Sequence, residues 1–258
     1  VAINCRPDFI FWPVKTAGDQ ERLPVAVFTD GWKPHRDRIT DDFAKRMAIL
    51  RSGNFLVWSL DYHDVHRVLT GTSTPSPWLR REWRENSKLI NMARGLAQKY
   101  GEPVQSHFFN RGNHALLLDY LLDDKPLSSF ENKALAIAHS IFALDPGRAS
   151  FDQLLATTIP GLDPRLPVMF HSMAYDLTAK TSSAELSICV GKRSGESSHL
   201  EAVDLAVILQ NGRERRQDAD FRDVWHGLLG LQNVLQFLPN ALFLASDELD
   251  QVASIDWL

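Results

Sequence analysis

The sequence predicts an α/β fold, and the first sixty residues carry the observations behind that prediction. Two apolar runs, Phe9 to Phe11 and Val25 to Phe28, each lie beside a carboxylate and are bounded by Pro, Gly or polar residues. Such runs are typical of short buried strands. A helical segment from Asp41 to Arg51 and a further apolar run from Phe55 to Trp58 follow. This order of elements indicates a mixed sheet with flanking helices.

Composition narrows the class of protein. The chain has 258 residues, of which 44% are hydrophobic, enough for one large domain or two small ones. A net charge of −4 excludes a wholly basic wrapper of nucleic acid, so any DNA contact must come from a local patch. The two cysteines, Cys5 and Cys189, exclude a four-cysteine zinc site and a disulfide framework, and favour a cytoplasmic protein. No run approaches the roughly 18 apolar residues of a membrane span, so we expect no membrane partner.

The candidate site begins with two acids and a histidine. Asp8 precedes one predicted strand and Asp30 ends the next, which places both carboxylates at strand ends. His35 follows Asp30 by five residues, beyond Gly31 and Pro34, so a turn can bring its ring back towards that acid. Oxygen and nitrogen ligands of this kind hold Mg²⁺ with several waters, and such an ion can activate a water against a phosphate. This set is the minimum for phosphodiester hydrolysis.

These residues resemble the PD-(D/E)xK nucleases, and in particular the very-short-patch repair endonuclease branch. The matching segments are Pro7-Asp8-Phe9, then Phe28-Thr29-Asp30-Gly31, then His35. The resemblance implies a restriction-endonuclease-like core that binds Mg²⁺. It implies metal ligation by Asp8, by the Thr29 carbonyl and by Asp30, with His35 as an acid/base or phosphate-contacting group.

The chain also departs from that branch. Asp30 stands where the branch has a histidine. A related nuclease-like group has Asp-Gly at this place, followed by His and by a later Asp-x-x-Arg. Asp42 with Lys45-Arg46 resembles that later element. The lysine expected two residues after the acid is absent, because position 32 is Trp. Lys45 is therefore the candidate catalytic cation and Arg46 a candidate DNA contact. Asp42 is either part of the site or a solvated i, i+4 partner of Arg46.

The linker-like stretch from Gly71 to Pro77 divides the chain into a nuclease-like core, residues 1–70, and a mainly helical and mixed α+β region, residues 71–258. A helix predicted from Trp78 to Tyr100 interleaves basic and aromatic residues, a pattern that can follow a phosphate backbone. Taken alone, the pattern favours an ordinary solvated helix face. Together with the rest of the site it makes a DNA contact the alternative. Its candidate DNA-binding residues are Arg80, Arg81, Arg84 and Lys88.

Further elements are predicted along the second region. Helices are expected at 113–122, 130–144 and 221–238, and strands near 168–170, 185–190 and 202–209. In the first region, the titratable cluster from Asp61 to His66 is tempting as a metal site, but we interpret it as the start of a helix capped by Asp61.

The start of the chain suggests a fragment of a longer protein, because it opens on Val and reaches Asp8 with almost nothing before it. An upstream Glu would then complete the site. A second resemblance lies near the end of the chain, in the segment Asn233-Val234-Leu235-Gln236-Phe237-Leu238. This segment is similar to the end of large bacterial DEAD/DEAH-class helicases that carry a nuclease-like terminal module. Several of these helicases occur in anti-phage defence islands such as Druantia. This resemblance implies ATP use only in the missing upstream region, and DNA and other subunits of a defence complex as partners.

Two function hypotheses follow. The first is metal-dependent DNA phosphodiester hydrolysis by a nuclease-like C-terminal module of a helicase-type defence or repair protein. The alternative is a catalytically inactive module that holds DNA or a partner protein. A stand-alone metabolic hydrolase fits poorly. The deciding observation is whether Asp8, Thr29, Asp30 and His35 converge on an open pocket with basic groups on its rim.

Overall fold

A computed structural model describes residues 5–13, 22–71, 88–99, 112–122, 125–144, 170–176, 186–193, 203–209, 215–217, 219–238 and 241–245. The first sheet has the strand order β1-β2-β3 and consists of β1 (Phe9–Phe11), β2 (Val25–Asp30) and β3 (Leu56–Asp61). β1 runs antiparallel to β2, whereas β3 runs parallel to it. The predicted α/β fold with a mixed sheet is confirmed at this level.

The helices of the described residues are α1 (Trp32–His35), α2 (Ile39–Arg51), α3 (Tyr62–Thr70), α4 (Lys88–Lys99), α5 (Asn113–Leu122), α6 (Leu127–Leu144) and α7 (Ala219–Leu235). A second sheet has the order β4-β5-β6-β7 and consists of β4 (Phe170–Asp176), β5 (Leu186–Arg193), β6 (Val203–Leu209) and β7 (Ala241–Ala245). Its first three strands are antiparallel and β7 is parallel to β6. A short 3-10 turn spans Arg215–Gln217.

Burial separates the strands of the first sheet. All six residues of β3 are buried, as are Val25, Ala26 and Val27 of β2. The prediction that the run Phe9 to Phe11 is a buried strand is wrong in one respect, because all three residues of β1 are exposed. β1 and β3 are both edge strands of this sheet, but β3 is covered by the residues of α7 and its C-terminal end, whereas β1 pairs only with β2 in the described part of the chain, which explains the difference in burial.

The helix starts in this part of the chain follow one prediction and depart from another. Asp61 caps α3 as predicted, because its Oδ1 accepts from the Asp64 amide at 2.5 Å and the Asp64 carboxylate accepts from the Asp61 amide. α2 begins earlier than expected, at Ile39, and its N-cap residue Arg38 makes no side-chain cap hydrogen bond. The predicted start at Asp41 is therefore wrong by two residues, since Asp41 lies inside the first turn of the helix.

Side chains of α7 and of the residue that follows it cover the outer edge of β3. Asn233 accepts from the Ser59 amide at 2.8 Å and donates to the Ser59 carbonyl at 2.8 Å. Gln236 accepts from the Val57 amide at 2.7 Å. Backbone groups at a sheet edge must find partners when buried, and here two amide side chains take the place of a neighbouring strand.

One hydrophobic cluster joins both halves of the chain. It includes Val25 and Trp58 from the first sheet, Leu135 from α6, Trp225 from α7 and Phe243 from β7. In the described residues, the range 1–70 and the range 71–258 thus share a core. The predicted helices at 113–122, 130–144 and 221–238 correspond to α5, α6 and α7, and the predicted strands near 185–190 and 202–209 correspond to β5 and β6. The strand predicted near 168–170 meets β4 only at Phe170. β7 was not predicted.

Several predictions fall beyond the described ranges. The linker from 72 to 77 and the predicted DNA-binding residues Arg80, Arg81 and Arg84 lie outside them. Lys88 is the first residue of α4, and its side chain is likewise outside the described part. Among the helices that are described, none has the length and apolar character needed to cross a membrane.

Candidate active site

An open pocket of about 350 Å³ lies at the carboxyl end of β2. Its walls come from the segment before β1, the end of β2, α1 and α2. Ligand sites of α/β sheets commonly lie at such strand ends. The lining residues are Cys5, Arg6, Asp8, Phe28, Thr29, His35, Arg38, Asp42, Lys45 and Arg46.

Asp8 is fixed against the end of β2 by hydrogen bonds to a single residue. Its Oδ2 accepts from the Thr29 amide at 2.7 Å and from the Thr29 hydroxyl at 3.0 Å. The Asp8 amide in turn donates to the Val27 carbonyl at 2.9 Å, which extends the pairing of β1 with β2. The residue is exposed, and among the described residues no hydrogen bond reaches its Oδ1. One carboxylate oxygen is thus held while the other is available to a ligand.

His35 is turned back towards the strand end, as predicted from its spacing. It ends the single-turn helix α1, and its Nδ1 lies 2.6 Å from Asp42 Oδ2 and 3.5 Å from Asp30 Oδ1. The hydrogen bond with Asp42 raises the pKa of His35 above its ordinary value, against the opposing effect of burial. The imidazolium form therefore persists to higher pH, and Nε2 is the ring nitrogen that Asp42 does not engage.

Asp42 is ionised under the same influences. Burial acts to raise its pKa, but the hydrogen bond with His35 and the nearby Arg46 charge outweigh burial and lower it. Arg38 contributes a weaker attraction, with its guanidinium 3.9 Å from Asp42 Oδ1. Asp42 belongs to the site as the partner of His35, so the alternative of a solvated i, i+4 partner for Arg46 is not what the structure shows.

Asp30 and Arg46 form a buried ion pair beneath the pocket. The Arg46 guanidinium donates to Asp30 Oδ1, and the side chains are 2% and 0% exposed for Arg46 and Asp30 respectively. Arg46 also lies over the rings of Phe28 and Phe43, at 5.1 Å and 5.6 Å from their centroids. Asp30 Oδ2 and Arg46 Nε are buried and find no hydrogen-bond partner among the residues that the structure describes.

The rim of the pocket is basic. Arg6, Arg38 and Lys45 all line it, in addition to Arg46. Lys45 is held from the outer side by Asp41, whose Oδ2 accepts from its ammonium group at 2.5 Å. Cys5 also lines the pocket, but burial raises the pKa of its thiol. Because the thiolate is the reactive form, this shift disfavours Cys5 as a nucleophile.

The donor set fits one particular kind of magnesium site. Within the described ranges, no three His, Cys, Asp or Glu side chains are placed to hold a metal together. Mg²⁺ does not need such a cage, because it commonly binds through one or two carboxylates with water and phosphate oxygens completing the shell. Asp8 offers an exposed carboxylate oxygen, and the unpartnered Asp30 Oδ2 lies at the end of the adjoining strand. The residues fit a hydrated ion held chiefly by Asp8.

The predicted site residues divide into two groups. Asp8, Thr29, His35, Lys45 and Arg46 line one pocket, whereas Asp30 lies buried below it in its pair with Arg46. Arg6 and Arg38 were not predicted. The signal for Arg38 was its position four residues before Asp42, since residues at this spacing face each other on a helix.

Comparison with protein-family models, with curated proteins and with solved structures gives no significant match to this chain.

Proposed function

We propose that this pocket binds and hydrolyses a phosphodiester of DNA, in a restriction-endonuclease-like core of the PD-(D/E)xK type. A single observation carries the proposal. One open pocket brings together an exposed carboxylate, a hydrogen-bonded His–Asp pair and four basic side chains. Carboxylates that attract a metal next to cations that attract phosphate oxygens are what phosphodiester hydrolysis requires.

The basic rim binds the substrate. Arg6, Arg38 and Lys45 attract the phosphate backbone and favour the extra negative charge that develops on phosphorus during attack. Lys45 takes the role of the catalytic cation that position 32 does not supply. Arg46 supports the site from below, because its pair with Asp30 neutralises a buried carboxylate that would otherwise repel the phosphate.

Asp8 is the residue that would hold Mg²⁺, with the Thr29 carbonyl and Asp30 as neighbours at the same strand end. When bound, the ion supplies an activated water and neutralises phosphate charge. The hydrogen bonds from Thr29 fix the Asp8 carboxylate, so that its position does not depend on the ligand.

His35 handles the proton. Its Nδ1 is held by Asp42, which orients the ring and favours its charged form, and its Nε2 is then the atom that gives a proton to the leaving oxygen. A general acid of this kind typically contributes about 10²- to 10⁴-fold to the rate. The Asp42 pairing thus favours the protonated form of His35, which is the form that a general acid needs.

The biological setting extends the same proposal. We propose that the module belongs to a cytoplasmic bacterial helicase-type protein of DNA defence or repair, in which an upstream part uses ATP. DNA is the proposed partner, together with other subunits of a defence complex.

The test is cleavage by the full-length protein of plasmid and single-stranded DNA, with Mg²⁺ and with a chelator. Asp8→Asn and His35→Ala are each expected to lower the rate at least 100-fold, while Asp37→Asn, an exposed acid outside the pocket, leaves it unchanged. Cleavage that persists in Asp8→Asn at the normal rate would move the chemistry elsewhere.

A second candidate function is a module that binds DNA without cutting it. It is favoured by the pairing already present, because His35 is bonded to Asp42, Arg46 is bonded to Asp30, and the described residues hold no three-ligand metal group. This candidate predicts DNA binding that Mg²⁺ does not alter and no cleavage in any condition of the assay above.

A further inference from the structure

A second polar cluster lies beside the pocket, at the same carboxyl end of the strands of the first sheet. Asp61 at the end of β3 is paired in register with Asp30 at the end of β2. Adjacent strands are about 4.8 Å apart, so the two strand ends are immediate neighbours. Helix α1 starts two residues after Asp30 and α3 starts directly after Asp61, which brings the first turns of both helices to the same edge.

The acids of this second cluster face inward and are already satisfied. Asp61 Oδ2 lies 2.8 Å from His226 Nε2 on α7. Asp64 accepts from the Asn113 side chain at 3.1 Å, and both acids are buried. Their charges are therefore withdrawn from the surface, and they serve to fix α3 and α7 at the sheet edge.

The outward-facing groups are aromatic and basic. The side chain of Tyr62 is 64% exposed, and its ring centroid lies 5.7 Å from that of His63 and 5.7 Å from that of His66. The Arg222 guanidinium of α7 contacts His63 Nε2. An exposed ring with imidazoles beside it and a guanidinium next to them is the combination that binds a nucleotide, with the base on the ring and the phosphate at the cation.

We propose that Tyr62, His63, His66 and Arg222 form a subsite for single-stranded DNA, in which an unpaired base stacks on Tyr62 and Arg222 contacts the adjoining backbone. The inference rests on the proposed function for its setting, since it extends the path of the strand from the pocket to the neighbouring strand end. It goes further by naming the substrate class. A base lies on an aromatic side chain only when it is unstacked, which favours a single strand or a frayed end over a closed duplex.

The rings around Tyr62 and the nearby Arg222 cation argue for a nucleotide over an apolar protein segment. The surface around Tyr62 presents His63, His66 and Arg222, and its two acids are buried. Leu69, an exposed apolar residue of the same helix, lies about two turns further along α3 and is 80% exposed. Leu69 is therefore a matched control on the same face, since a docked protein helix would use both residues.

The binding test separates this inference from catalysis. Asp8→Asn full-length protein in chelator is titrated against a fluorescently labelled dT₁₂ strand and against the same length of closed duplex, with anisotropy as the readout. Adding Tyr62→Ala is expected to weaken binding of the single strand about 5- to 100-fold, the effect of losing one base stack. Tyr62→Phe and Leu69→Ala are expected to bind within twofold of the Asp8→Asn parent. Arg222→Gln is expected to reduce the slope of log affinity against log salt by about one.

Three results would overturn the inference. The first is an unchanged affinity of Tyr62→Ala for the single strand. The second is binding by Tyr62→Phe that is as weak as binding by Tyr62→Ala. The third is a loss of affinity in Leu69→Ala equal to that in Tyr62→Ala, which would indicate an apolar protein partner. Because binding is measured apart from the cleavage assay described above, Tyr62-dependent binding by a protein that shows no cleavage in that assay would support the subsite and contradict the nuclease function. Cleavage by the wild type without Tyr62-dependent binding would support the nuclease function and contradict the subsite.

Discussion

The Asp30 carboxylate and the Arg46 guanidinium pair inside the protein, where their side chains are 0% and 2% exposed. This pair ties α2 to the end of β2. Asp42 lies on the same helix and His35 on the turn after the same strand, so the pair also sets the distance at which the two meet. The stability of the fold and the geometry of the pocket are coupled through it.

Removal of one member of this pair is expected to destabilise the fold strongly. Arg46→Met leaves the Asp30 carboxylate buried without a counter-charge, and such changes cost about 3–5 kcal/mol in the free energy of unfolding. Equilibrium urea unfolding followed by circular dichroism measures this. Arg38→Met is the control, because the Arg38 side chain is 60% exposed and its ion pairs contribute at most about 1 kcal/mol. Equal effects of the two variants would mean that the buried pair has no special weight.

His35 is expected to titrate above its ordinary pKa of 6.5. The cause is the Asp42 hydrogen bond, so Asp42→Asn is expected to bring the pKa of His35 back towards or below 6.5. Asp41→Asn removes an exposed acid from the same helix turn and is expected to leave the value unchanged. Histidine ring signals in an NMR pH titration give all three values, and a His35 that titrates normally in the wild type contradicts the pairing.

The same pair predicts the pH range in which it stabilises the fold. The pKa of His35 is higher in the folded than in the unfolded state, so its contribution is full below 6.5 and is lost as pH rises through the raised value. The pKa of Asp42 is lower than 3.8 in the folded state, so its contribution is lost as pH falls through that lower value. Wild-type stability relative to His35→Gln is expected to be largest between about pH 4 and 6.5.

Asp64 predicts an opposite trend. Burial and the neighbouring Asp61 carboxylate raise the pKa of Asp64 to about 6. A carboxyl group whose pKa is higher in the folded state favours folding when protonated, so its contribution declines as pH rises from about 4 to 6. Asp64→Asn keeps an acceptor for the Asp61 amide and is expected to flatten this decline. Unfolding measured at pH 4, 5, 6 and 7 tests it, and an unchanged profile would count against the raised pKa.

The edge of β3 gives a prediction far from the pocket. Asn233→Ala leaves the Ser59 amide and carbonyl buried without partners, at a cost of about 1–3 kcal/mol for each group. Gln217→Ala, an exposed amide in the 3-10 turn, is expected to cost less than about 0.5 kcal/mol. Thermal unfolding compares the two. A small effect of Asn233→Ala would show that water replaces the side chain at this edge.

Local patterns were enough to predict most of the pocket. The apolar run that ends at Asp30 predicted the end of β2, and the spacing to His35 predicted a turn back towards it. The chemistry of ion pairing was harder to assign, because Arg46 had two acids within reach. The i, i+4 rule favoured Asp42, whereas burial favours Asp30, where the low local dielectric strengthens the attraction.

Long-range packing was outside what local patterns give. Val57 and Gln236 are hydrogen-bonded at a separation of 179 residues, and no periodicity in either segment predicts the partner of the other. The exposure of β1 could not be predicted for the same reason. An apolar run indicates a strand, but it does not show which other elements cover that strand. The cluster around Asp61 was correctly interpreted as a helix start, but the arrival of Arg222 and His226 from α7 was not foreseen.

The amide side chains of Asn233 and Gln236 occupy the hydrogen-bonding edge of β3 in the folded protein. A polypeptide shortened to its first 71 residues would retain every lining group of the pocket and yet present bare Val57 and Ser59 amides. Strands of that kind recruit one another and precipitate. The excised segment is therefore expected to aggregate, and the residues around Asn233 and Gln236 have to be synthesised before the pocket-lining residues near the start of the chain are stably folded.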